Sequence, residues 1–221
     1  MSKKLIIWDF DGVISDTEKL WVENRRILLN QKFGLNWDFE TANHYIGGKS
    51  DKTKKLDLEK LGIVTDEAFW EKALDMDYAL MRKGIELMPD IEKIFAEKDI
   101  AQCIATGGTR DKTAVKIKSV GIEKYFPDNK IFTADQVEHG KPEPDIFLLA
   151  AKTMGYDPKD CIVIEDSLAG MTAGLRAGME VIAFVGCEMN QSEANLQKIK
   201  ELGIKHIFYN MTEVRDFVLE K

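Results

Sequence analysis

The chain has little of what several protein classes depend on. Cysteine occurs three times in 221 residues, at Cys103, Cys161 and Cys187. An odd number at such wide spacings supplies neither a disulfide framework nor a zinc site. Cys103 and Cys161 fall inside apolar runs, so they read as buried thiols in a reducing compartment. Histidine is as scarce: His44, His139 and His206 are scattered, with no metal-ligand spacing and no triad. A basic excess is missing too; the net charge is −7 with no basic stripe, which argues against nucleic acid as a partner. No apolar run approaches the length of a membrane span, and the four apolar residues before Asp9 are too few for a signal peptide. Repeats, low-complexity tracts and long linkers are absent as well. The expectation is a cytoplasmic monomer with neither membrane nor nucleic-acid partners.

What is present is an ordinary globular composition, 44% hydrophobic and 31% charged, in a chain long enough for one or two domains. Residues 5–8 form an apolar run of strong β formers. Similar short runs over 100–105, 130–133, 161–164 and 180–184, with a weaker one over 206–209, predict further strands. Helical patterns over 90–98, 111–120, 144–154, 168–177, 193–202 and 212–220 fall between and after them. Gly121, Gly155 and Gly178 stand at helix ends, and Pro144 near a helix start. Strand and helix in alternation predict βαβ units, hence an α/β fold with a doubly wound parallel sheet. Residues 16–87 differ. They show helical periodicity, three of the four tryptophans and glycines at 34, 47, 48, 62 and 84, which punctuate about four helices. The expected organisation is a core of 1–15 with 88–221 and an inserted helical domain of 16–87. The charge run over 49–60 reads as a solvated helix face.

The first apolar run ends abruptly in Asp9-Phe10-Asp11-Gly12. Two carboxylates one residue apart repel unless a cation lies between them or one holds a proton. Gly12 then breaks the strand. In an open parallel sheet, ligands collect beyond the carboxyl ends of the strands, so the residues that follow each run carry the functional question. After 100–105 comes Thr106-Gly107-Gly108-Thr109-Arg110; a later loop reaches Gly140-Lys141-Pro142; after 161–164 come Glu165-Asp166-Ser167. Each has an ordinary reading by itself, as a turn, a tight loop, a surface lysine or a helix cap. The signal is the set and its order.

That set resembles the haloacid dehalogenase-like superfamily, through DFDGV (9–13), TGG (106–108), GKPEPDIF (140–147) and ED (165–166). The resemblance covers residues 1–15 and 88–221 and implies an α/β core with a helical cap over 16–87. The chemistry it implies can also be argued from the residues. Phosphoryl transfer needs an in-line nucleophile, offset of phosphate charge and a proton for the leaving group. Asp9 suits the nucleophile and Asp11 the acid and base. Thr106, the Gly107 amide and Lys141 suit the phosphoryl oxygens. Four carboxylates at one edge call for a hard dication, Mg²⁺, with Asp9, the Asp11 carbonyl and Asp166 as ligands and Glu165 as a further or outer one. Family members that cleave carbon–halogen or carbon–phosphorus bonds lack an aspartate at the position of Asp11, so its presence favours a phosphate ester.

Within the superfamily the chain is similar to the β-phosphoglucomutase-like branch, which includes sugar-phosphate phosphatases. The mutase of that branch has a histidine on the first cap helix, where this chain has Trp21. It also has an arginine in the cap loop, which here reads Ile46-Gly47-Gly48-Lys49-Ser50. Both departures favour a phosphatase over a mutase, and the loop is similar to that of 6-phosphogluconate phosphatases. Trp21, Gly48 and Lys49 are therefore the expected substrate contacts, and a small phosphate ester the expected partner. A mutase and a non-catalytic regulator on the same fold are the alternatives.

Overall fold

A computed structural model describes residues 4–47 and 51–220. The chain divides into two compact units, one ending at Asp16 and resuming at Glu86, the other Thr17–Ile85.

The Thr17–Ile85 unit is helical among the described residues: α1 (Glu18–Phe33), α2 (Phe39–Ile46), α3 (Asp51–Lys60) and α4 (Glu67–Lys83). Val22, Leu29, Ala42, Ile46, Leu58, Phe69 and Ala73 form its core. A buried ion pair ties α1 to α4, with Arg25 Nη1 donating to Asp77 Oδ1 at 2.6 Å and Asn24 Nδ2 to the same oxygen at 2.9 Å. Asp38 and Asp66 cap α2 and α4, accepting from the amides of Thr41 and Phe69. Hydrogen bonds from Lys32, and then from the Phe69 amide, hold the Asp66 carboxyl below its ordinary 3.8. Because the folded value is depressed, this stabilisation is present above the ordinary value and lost as pH falls through the lower one. Asp66→Ala should therefore lower the melting temperature at neutral pH, with the gap to wild type closing in acid. A gap independent of pH would contradict the assignment.

The other unit is built on six parallel strands: β1 (Leu5–Trp8), β2 (Ala101–Thr106), β3 (Ile131–Thr133), β4 (Cys161–Glu165), β5 (Glu180–Phe184) and β6 (His206–Phe208). Their order is β3-β2-β1-β4-β5-β6. All four residues of β1 are buried, as expected of a central parallel strand covered on both faces. Leu5 pairs with Ala101 on one side and Cys161 on the other, so the ends of β1, β2 and β4 lie nearly level. The chain leaves β1 in both directions across the sheet, which makes the end of β1 the topological switch point. The helices are α5 (Ile91–Phe95), α6 (Arg110–Val120), α7 (Asp145–Met154), α8 (Leu168–Arg176), α9 (Glu193–Glu201) and α10 (Met211–Leu219).

The observed bounds correct several expected ones. Thr106 and Glu165 close β2 and β4 rather than following them, and residues 100 and 130 lie outside the strands. The helix expected over 90–98 spans only Ile91–Phe95; Asp90, at φ 67°, lies outside the right-handed helical region and sets its start. The three cysteines are free and buried, as their sequence context indicates, and burial pushes the Cys161 thiol up to about 11.

Candidate active site

The Asp9 amide donates to Ile164 O at 3.0 Å, carrying the β1–β4 pairing one residue past the end of β1. This step brings Asp9 level with Glu165, and Lys141 fills the space between them. Its Nζ donates to Asp9 Oδ1 at 2.6 Å, Glu165 Oε1 at 2.7 Å and Ala105 O at 3.1 Å. Three acceptors use all three ammonium hydrogens. The second Glu165 oxygen accepts from the Ser167 amide at 2.8 Å and the Ser167 hydroxyl at 2.9 Å. Ser167 in turn caps α8 through the Gly170 amide. Gly170 is required for this packing, since a Cβ there would stand 1.7 Å from Glu165 Oε1. Glu165 thus orients Lys141 and anchors the start of α8 at once.

Asp166 joins the same group. Ligand atoms of Asp9, Glu165 and Asp166 fall within 4.8 Å of one another. Asn190 Nδ2 donates to Asp166 Oδ2 at 2.9 Å. Gly12, at φ 81°, passes so close that a Cβ would lie 1.9 Å from the same oxygen, so both its conformation and its bareness are used. Burial, with Glu165 and Asp11 nearby and despite Lys141, pushes the Asp9 carboxyl up to about 7. Burial and the neighbouring Glu165 and Asp9 likewise raise Asp166 well above the ordinary range. For Lys141, burial favours the neutral amine, but Asp9 and Glu165 outweigh it and raise its pKa.

Asp11 stands outside this three-carboxylate group. Its carboxylate is ion-paired with Lys116, a residue of α6 that is 1% exposed. The sequence reading missed Lys116. Its only signal is helical phase: Thr113, Lys116 and Ile117 are the buried face of α6, so a lysine occurs where a core residue belongs. Asn190 carries no comparable signal.

Thr106 is buried at the end of β2, its hydroxyl accepting from the Gly108 amide at 3.3 Å, and Gly107 is exposed beside it. Arg110 is tied elsewhere, its Nη1 donating to Ile131 O at 3.2 Å and its amide to Asp135 at 3.1 Å. Trp21 is 5% exposed on α1, in the helical unit. Gly48 and Lys49 lie outside the described residues. The structure therefore brings together Asp9, Lys141, Glu165 and Asp166, with Asp11 in the loop after β1 and Thr106 at the end of β2.

The donor set suits a hard dication. Four carboxylates, from Asp9, Asp11, Glu165 and Asp166, face two ammonium groups, from Lys116 and Lys141. Two formal negative charges remain when all are ionised, and oxygen is the only donor type, as Mg²⁺ prefers.

A doubly wound parallel sheet with an acidic, lysine-bridged cluster at its switch point places the chain among α/β proteins with a polar site at the strand ends. The chain belongs to the haloacid dehalogenase-like hydrolase family, whose profile matches residues 6–184. It is 28% identical over 196 residues to a phosphorylated carbohydrates phosphatase of Thermotoga maritima, covering 87% of this chain and 89% of the relative. To a 6-phosphogluconate phosphatase of Escherichia coli it is 25% identical over 181 residues, covering 81% of each. A solved haloacid dehalogenase-like protein from Agrobacterium tumefaciens shares the fold with a TM-score of 0.87 at 23% identity, over 99% of both chains.

Proposed function

We propose that the protein is a Mg²⁺-dependent phosphatase that hydrolyses a small sugar phosphate or phosphorylated sugar acid through a phosphorylated Asp9. The coarser statement, a phosphoric monoester hydrolase, follows from the family and its named phosphatases. The observation that carries the finer one is the Asp9–Lys141–Glu165 bridge at the switch point. It holds a carboxylate at the end of the central strand beside a fixed positive charge.

In this reading an Asp9 carboxylate oxygen attacks phosphorus, and the bond from phosphorus to the ester oxygen breaks. Asp11 gives a proton to the departing alkoxide and later takes one from the water that attacks the aspartyl-phosphate, which frees Asp9 and inorganic phosphate. Lys141, Thr106 and the Gly107 amide bind the phosphoryl oxygens. Asp9, Asp166 and the Asp11 carbonyl would hold Mg²⁺, Glu165 being engaged at both oxygens. The bound ion supplies charge neutralisation at the phosphoryl group. The Thr17–Ile85 unit is the cap, and Trp21 with Gly48 and Lys49 selects the substrate. The three free thiols are in keeping with a reducing, cytoplasmic setting.

The test is phosphate release with Mg²⁺ across sugar phosphates, phosphorylated sugar acids and unrelated esters. The expected result is metal-dependent release that EDTA stops, favouring the first two groups. Isomerised product without net release would make the protein a mutase, and silence toward every ester would overturn the reading.

A further inference from the structure

We infer that Lys116 is a positioning residue for proton transfer, holding the Asp11 carboxyl by Oδ2 so that its other oxygen carries the proton to the leaving-group oxygen. The inference rests on the assignment of Asp11 above.

Lys116 is only 1% exposed. Its ammonium pairs with Asp11 Oδ2 and stands 5.2 Å from the centre of the Phe10 ring. Lys116 thus touches two consecutive residues of the loop that leaves β1. The same ammonium lies 3.8 Å from where a Gly108 Cβ would be, and Thr106 Oγ1 lies 3.7 Å from that point. Lys116 therefore joins the loop after β1 to the loop after β2, the two loops that carry Asp11 and the Thr106–Gly108 turn.

The ordinary reading is a structural ion pair that anchors α6. Chemistry weighs against it. An ammonium carried into the interior loses its hydration and is worth keeping only for its partner. Thr113 and Ile117 already bury the same face of α6, and a methionine at 116 would pack there without that cost. The partner is also unequal: the Asp11 side chain keeps 30% of its exposure while that of Lys116 keeps 2%. A fixed, buried cation thus holds a carboxylate that still faces solvent, as a group passing protons between substrate and water must.

Leaving-group chemistry separates positioning from scaffolding. An alkoxide needs a proton as it departs; a nitrophenolate does not. The ratio kcat/KM reports the steps up to leaving-group release. For Lys116→Met, the ratio of kcat/KM on a sugar phosphate to that on p-nitrophenyl phosphate should fall about tenfold or more, part of the 10²–10⁴-fold that acid–base catalysis supplies. In an Asp11→Asn background the same substitution should leave that ratio where Asp11→Asn alone puts it. Equal losses on both substrates, or a ratio that drops again in the double variant, would overturn the inference.

Melting temperatures of wild type, Lys116→Met, Asp11→Asn and the double variant need no turnover. They should be non-additive, the double variant losing less than the two single losses together. Additive losses would overturn the contact itself. Should Lys116→Met not fold, Lys116→Gln enters the same cycle. A wild type inactive on all esters refutes the phosphatase reading, whereas the stability cycle judges the Lys116–Asp11 pair on its own.

Discussion

Asp9→Asn is expected to abolish phosphate release, by on the order of 10⁴-fold or more, while leaving the fold intact. Asparagine matches aspartate in shape, and its carbonyl oxygen can keep the 2.6 Å bond from Lys141. What it loses is the carboxylate that attacks phosphorus. Stability should not suffer, because burial and the adjoining carboxylates already disfavour a charge at this position and push Asp9 up to about 7. In metal-free protein at alkaline pH the variant should melt no lower than wild type. Release within tenfold of wild type, or a variant that fails to fold, would contradict the placement of Asp9.

Lys141→Met has the second largest expected effect, and it strikes fold and chemistry together. It leaves Asp9 and Glu165, now bridged at 2.6 and 2.7 Å, as buried carboxylates without their cation. Removing one partner of a buried pair costs about 3–5 kcal/mol. Losing a fixed charge at the phosphoryl group should lower turnover on every ester by about 10²–10³-fold, the range for deleting one preorganised donor. The stability loss should shrink as pH falls. Asp9, which burial pushes up to about 7, is then neutral, and a neutral carboxyl needs no counter-charge. Melting curves across pH with and without Mg²⁺, alongside turnover on several esters, check this. A loss confined to one substrate would make Lys141 a specificity contact instead.

The sheet and the acidic strand ends are legible in sequence because they depend on local pattern. An apolar β run that stops at Asp-x-Asp-Gly, and another that stops at Glu-Asp-Ser before a helix, each mark a strand end, and together they mark a site. Parallel pairing in near-level register brings such ends to one edge. Lys141 is legible only as part of that ordered set. Lys116 and Asn190 were not legible, since each is a single polar residue whose partner is far away in sequence, Asp11 and Asp166 respectively. The engagement of Glu165 escapes for a different reason. Nothing in Glu-Asp-Ser says which carboxylate turns back onto the Ser167 amide and Lys141 and which stays beside Asp9 and Gly12. Element ends shift where a single backbone angle decides them, as at Asp90.

The central claim is a phosphoryl group carried on Asp9, and Asp11→Asn offers the direct view of it. With p-nitrophenyl phosphate the first step needs no acid, whereas the second lacks its base, so the intermediate should accumulate. Rapid mixing with Mg²⁺ should give a burst of about one nitrophenolate per site. Acid quench, borohydride reduction and peptide mapping should then place the label at Asp9. Linear release without a burst, or label on any other residue, would contradict the account.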